Sequence, residues 1–255
     1  MGNLSIKNIL YLILGLQICL SIVTVAMDVD YRLLKYFNRK EITTGPILPG
    51  DQKRVFDPRK SSPDIFPDDL KREVQIPEKM PPRLMFRLEE LPKLGSFIFI
   101  HGTIEEGDFV RLEQYLESNS NYPKLVAFNS PGGSVYESLK IGRFLRSRDI
   151  ETVMLPGMYC FSACPYMFGG GIERLVFDQS AVGMHQHYFD ESVILPAFLA
   201  VEDIQYGQAI TMEYLIDMGI DPSLLVFTLK TPPDEIYVLI KDELLKTKLA
   251  TEYIE

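Results

Sequence analysis

KLVAFNSPGGSVYESLKIGRFLRSR, residues 124–148, is the stretch on which the fold turns. Leu125–Phe128 form a short apolar run of strand type, and Pro131-Gly132-Gly133 then breaks it with a turn. Beyond the turn, Val135, Leu139, Gly142 and Leu145 fall on one side of a helix. The same texture recurs on both sides. SFIFIHG (96–102) reads as a buried strand, and EEGDFVRLEQYLES (105–118) spaces Phe109, Leu112, Tyr115 and Leu116 at helical intervals. ETVML (151–155), RLVFD (174–178) and AVGMH (181–185) add three more strands. Strands alternating with helices predict right-handed crossovers and an α/β fold with a mostly parallel sheet. Such sheets carry their chemistry at strand ends.

Three strand ends stand out. At NSPGGS (129–134) the glycine turn exposes main-chain amides, which suits either a ligand or an ordinary strand-to-helix connection. At YCFSACPYMFGGG (159–171) Ser162 precedes a short apolar helix. A serine there is an N-cap or a nucleophile, the latter favoured by the positive end of the helix. At AVGMHQHYF (181–189) His185 closes an apolar strand, where it is a general-base candidate or a histidine satisfied within the core.

In this order the motifs resemble the ClpP-like serine peptidases of the Clp/crotonase superfamily, which includes signal peptide peptidase A. SFIFIHGTI is similar to that family's first strand and turn, NSPGGSVYESLKIGRFL to its glycine turn and helix, SAC to its nucleophile, and GMHQ to its histidine strand. The resemblance spans residues 96–255 and implies stacked ββα units. It makes Ser162 the nucleophile, His185 its base, and the amides of Gly133 and Ala163 the oxyanion hole. PPDEIYVLIKDELLKTKLAT matches the family's closing pattern, which assigns the third catalytic role to Asp234 ahead of Asp217 and Asp221. The expected activity is hydrolysis of a peptide laid as a strand beside the glycine turn. The resemblance also implies a homo-oligomer assembled through FLAVEDIQYGQAITMEYLIDMG (198–219), with Phe198, Val201, Ile204 and Ile210 as contacts. Neither a cofactor nor a metal is expected. Two other functions share this architecture: a scaffold or binding module without turnover, and a crotonase-type acyl-coenzyme A enzyme. The Ser162–His185 pairing weighs against the second, because such enzymes use oxyanion-hole amides without that pair.

Cys160 and Cys164 bracket Ser162 and leave several readings open. They form a local disulfide, join His185 and His187 as zinc ligands in an unfamiliar spacing, or stay as inert buried thiols. A cysteine nucleophile fits less well than Ser162. Cys19 lies in an apolar run and reads as a small hydrophobe.

The chain has 255 residues and a net charge of −9. Residues 1–95 hold 15 Lys+Arg and 12 Asp+Glu, a balance of +3; residues 96–255 hold 11 and 23, a balance of −12. An acidic domain without a basic cluster excludes a nucleic-acid partner. NILYLILGLQICLSIVTVAM (8–27) is uncharged and long enough to span a bilayer. Residues 1–27 therefore read as a signal anchor, with a cleaved signal peptide as the alternative. The domain beyond them is expected outside the cytoplasm, although basic residues flank the run on both sides. Residues 28–95 read as a connector, since nine of the 17 prolines fall between Pro46 and Pro92 and disfavour long helices and central strands. A short helix is expected near Tyr31–Phe37.

Overall fold

The computed structural model describes residues 6–37, 52–59, 66, 70, 72–119, 121–187 and 197–255. The chain divides into two units, Met1–Thr43 and Thr44–Glu255.

The first unit holds helix α1 (Ile6–Phe37). Its part from Ile6 to Ala26 has a mean hydropathy of 2.4 and exposed side chains, and is long and apolar enough to cross a membrane. The short helix expected near Tyr31–Phe37 is the end of α1, because neither proline nor glycine interrupts residues 27–37.

The second unit is mixed α/β. Its elements run β1 (Lys53–Val55), β2 (Met85–Leu91), β3 (Gly95–His101), α2 (Asp108–Ser118), β4 (Leu125–Asn129), α3 (Val135–Ser147), β5 (Glu151–Met154), β6 (Tyr159–Phe161) and α4 (Cys164–Gly169). They continue with β7 (Arg174–Phe177), β8 (Ala181–Met184), α5 (Ala197–Asp217), α6 (Leu224–Lys230), β9 (Glu235–Val238), α7 (Lys241–Lys246) and β10 (Glu252–Ile254). One sheet has the order β10-β7-β5-β4-β3-β2 and is parallel except where β2 joins antiparallel. A smaller sheet, β1-β9-β8-β6, is parallel only between β6 and β8.

The apolar runs account for the strand positions. Phe97, Ile98, Phe99 and Ile100 are all buried, so β3 is covered on both faces, as expected of a central strand in a mostly parallel sheet. On α2, Leu112 and Leu116 are one turn apart and both buried. The β3–β4 register pairs His101 with Asn129 and brings both strand ends level, so the turn after β4 opens at that end of the sheet.

The stretch read as a connector contributes two strands, which the sequence reading does not anticipate. The prolines explain how: Pro81 and Pro82 precede β2 and Pro92 follows it, so the seven-residue ladder to β3 lies between them. Both β1 and β2 are edge strands, where proline-bearing segments can pair without losing a central hydrogen bond. The end of this stretch is tied to α2 through Asp108, which is fully buried. Its carboxylate accepts from Arg83 at 2.8 Å, Arg111 at 2.6 Å and the Leu84 amide at 3.2 Å.

Candidate active site

The site is assembled where β4, β6 and β8 end. After β4, Ser130 fastens the chain: its amide donates to Tyr159 O at 2.9 Å, its carbonyl accepts from the Phe161 amide at 3.0 Å, and its hydroxyl donates to Gly102 O at 2.7 Å. β6 is thereby held beside the glycine turn. Ser134 then caps α3, its hydroxyl accepting from the Glu137 amide at 3.3 Å.

Ser162 follows β6 with a φ of 60°, a left-handed conformation uncommon outside glycine. Its amide donates to Gly183 O on β8 at 3.0 Å. Cys160 and Cys164 are joined by a disulfide, their Cα atoms 5.1 Å apart, so the residue in this unusual conformation sits inside a short covalent ring. The bridge removes both thiols from metal binding and from nucleophilic chemistry, which corrects the zinc and inert-thiol alternatives. Ser162 is not the helix cap either: Ala163 occupies that position, and no side-chain hydrogen bond caps α4.

His185 lies directly after β8 and is 5% exposed. Its Nε2 is 2.7 Å from Ser162 Oγ and its Nδ1 is 2.8 Å from Pro233 O. A carbonyl oxygen can only accept, so Nδ1 carries the proton and Nε2 presents a lone pair to the serine hydroxyl. That is the tautomer a general base needs. Burial lowers the imidazole's proton affinity below the ordinary range, opposed by the hydrogen bond to Pro233, a main-chain interaction at Glu235 and the charge of Asp234.

The carboxylate expected to orient this ring is not the group that does so. Asp234 is exposed, and the neighbouring Pro233 carbonyl occupies the position at Nδ1. Asp234 acts on His185 only through its charge. The rivals are engaged elsewhere: Asp217 pairs with Arg143 at 2.6 Å, and Asp221 accepts from the Ser223 amide at 2.8 Å. A main-chain carbonyl has no side-chain signature, so no sequence motif announces this role.

The two expected oxyanion donors lie beside the serine. A Cβ built on Gly132 would meet Ser162 Cβ at 2.5 Å and Ala163 N at 2.8 Å, so the glycine turn packs directly on Ser162. Among the described residues, neither the Gly133 nor the Ala163 N–H has a hydrogen-bond acceptor. A cavity of about 710 Å³ opens beside Gly133, walled by Phe56, Thr103, Leu139, Ile210, Ser162 and His185.

His187, the other histidine of the motif, hydrogen-bonds the buried Tyr166 hydroxyl at 3.0 Å. Burial, and to a lesser degree the neighbouring His185, pushes its pKa down to about 4. Burial and the Arg87 charge do the same to His101, which is 3% exposed and whose Nδ1 has no hydrogen-bond partner among the described residues. Both rings are neutral when folded, whereas in the unfolded chain they titrate at the ordinary value of about 6.5. Protonation therefore favours unfolding. The stability tied to each ring is fully present above pH 6.5 and is lost as pH falls towards 4, on the order of 3 kcal/mol per histidine. Thermal midpoints measured from pH 7 to 4 should fall steeply across that window, and His101→Gln should flatten the fall.

No family model matches the chain, and no curated protein matches it. Among solved structures it is similar to a ClpP1 mutant from Listeria monocytogenes at 18% identity and a TM-score of 0.47, covering 62% of this chain and 90% of that one.

Proposed function

We propose that the second unit is a serine peptidase of the ClpP-like type, built of stacked ββα units and tethered to a membrane through α1. One observation carries the reading: Ser162 Oγ lies 2.7 Å from His185 Nε2 while a carbonyl at 2.8 Å from Nδ1 fixes the ring's tautomer. In this mechanism His185 takes the hydroxyl proton as Ser162 attacks the scissile carbonyl, because serine is a weak nucleophile without an adjacent base. The amides of Gly133 and Ala163 receive the developing oxyanion, each worth about 3–4 kcal/mol in comparable sites. His185 then returns its proton to the leaving amine, and water completes hydrolysis of the acyl-enzyme. The imidazolium formed midway is stabilised by the Pro233 carbonyl and, at longer range, by Asp234.

The disulfide supports an extracytoplasmic domain, since such bonds persist in oxidising compartments. Assembly of several copies through α5 is the proposed quaternary arrangement, supported by the exposure of Val201, Tyr206, Met212 and Ile216. Ile204 and Ile210 are half-buried on that helix, and the side chain of Phe198 lies outside the described residues.

The test is covalent labelling with a fluorophosphonate probe. We expect one adduct per chain, on the peptide containing Ser162. The labelling rate should fall with acidity only below pH 6.5, because the neutral ring is the active form and its pKa is lowered. Folded, oxidised protein that takes no label across pH 5–8 would instead be a binding or scaffolding module.

A further inference from the structure

We propose that Phe56, which belongs to the proline-rich stretch ahead of the domain, is a positioning residue for His185. The proposal rests on the peptidase reading and adds to it a component that the strand-end motifs do not contain.

Two contacts carry it. The first is main-chain. β1 pairs antiparallel with β9, Lys53 opposite Tyr237 and Val55 opposite Glu235. Hydrogen bonds close both ends of this pairing: the Phe56 amide donates to Asp234 O at 3.0 Å, and the Val238 amide donates to Gln52 O at 2.8 Å. Asp234 directly follows Pro233, whose carbonyl orients the imidazole. The strand that leads into Phe56 therefore fixes the peptide segment that fixes His185.

The second contact is the ring. Phe56 meets the His185 imidazole edge-to-face, with centroids 4.8 Å apart and planes at 65°. Such pairs favour a defined mutual orientation. The phenyl ring also packs against the small apolar cluster that Tyr159, Phe161, Ala181, Ile236 and Val238 form across β6, β8 and β9. It thus forms a fixed apolar wall on the catalytic histidine and on the cavity. Without it, water would reach a ring now 5% exposed, and the imidazole would be free to tilt away from the serine.

The polar surroundings of His185 set the sign. Asp234 favours its cation, the hydrogen bond to Pro233 does the same, and His187, two residues on, feels the charge of His185 itself. Ser162 is neutral, and Arg54 is buried on β1. Burial is the largest influence and favours the neutral ring, so opening the wall raises the pH at which His185 takes up its proton.

The experiment uses the full chain in detergent micelles with Phe56→Ala, Phe56→Leu and Phe56→Tyr. Two quantities are measured against pH: the rate of fluorophosphonate labelling, and the NMR titration of the His185 ring, tractable in a chain with three histidines. In Phe56→Ala both midpoints should move up by about half a pH unit or more. The plateau labelling rate should fall by about 10- to 100-fold, since a misplacement of about 1 Å can cost up to about 10²-fold. Phe56→Leu, which keeps apolar volume without the ring, should move both in the same direction and serves if the alanine variant fails to fold. Phe56→Tyr should restore the parent behaviour. A His185 titration unchanged in both Ala and Leu variants overturns the proposal. An unlabelled parent protein overturns the peptidase reading instead, while the ring titration still decides the role of Phe56.

Discussion

His185→Ala should slow acylation of Ser162 by about 10⁶-fold, close to the loss on removing the serine itself, because base and nucleophile act as one unit. Asp234→Asn should slow it by about tenfold at most. The contrast follows from where the two side chains stand. His185 is buried with both ring nitrogens engaged, whereas Asp234 is exposed and contributes only its charge. In triads whose aspartate bonds the histidine directly, the same Asp→Asn change costs about 10⁴-fold because the ring adopts the wrong tautomer. Here the Pro233 carbonyl survives the substitution and still demands a proton on Nδ1. Rates of fluorophosphonate labelling at pH 8 for the parent and the two variants measure this. A loss in Asp234→Asn as large as that in His185→Ala would mean that the carboxylate reaches the ring in the working state and that the carbonyl alone does not suffice.

That contrast also marks what the sequence could tell. Most strands and helices around residues 96–185 are legible because they carry their own pattern: the continuous run in β3, the helical spacing in α2 and α3, the glycine break between β4 and α3. Ser162 and His185 stand out as candidates because side-chain chemistry and strand-end placement coincide in both, and the chain brings them to 2.7 Å. The orienting group was not, since any residue can present a carbonyl and only the path of the chain brings that of Pro233 to Nδ1. β2 and β1 were hidden for another reason. Proline density argues against strands on average, yet an edge strand between prolines keeps its ladder, and which residues the prolines flank depends on partners far along the chain. β6 is three residues long, below the length at which a period can be read. Phe56 was silent on both counts, being an isolated aromatic beside a short edge strand. The cysteine pair is ambiguous in sequence, since one spacing serves bridge, metal and inert readings alike, and only the fold joins the two as a bridge.

The glycine turn should prove as sensitive as the histidine, by a different route. Gly133 has a φ of 137°, which side-chain-bearing residues rarely adopt, and a Cβ there would lie 2.2 Å from Ile104 O and 2.8 Å from Ile104 N. Those are main-chain atoms already committed to this turn: the Ile104 amide donates to Gly132 O, and its carbonyl accepts from the Ser134 amide, both at 2.8 Å. They cannot yield as a flexible side chain would, so in Gly133→Ala the turn must move and carry its amide away from the serine. Loss of one oxyanion donor predicts a fall of about 10²–10³-fold in the rate of peptide hydrolysis. The strained backbone adds about 1–3 kcal/mol of destabilisation. Gly219→Ala separates the two costs. Gly219 also has a positive φ, 69°, but its Cβ would meet nothing within 4 Å, so that variant should lose stability while hydrolysing at the parent rate. Denaturant midpoints together with initial rates on a casein-type substrate resolve the pair. A Gly133→Ala protein that is destabilised yet hydrolyses at the parent rate would remove its amide from the oxyanion hole and leave Ala163 to bind the charge alone.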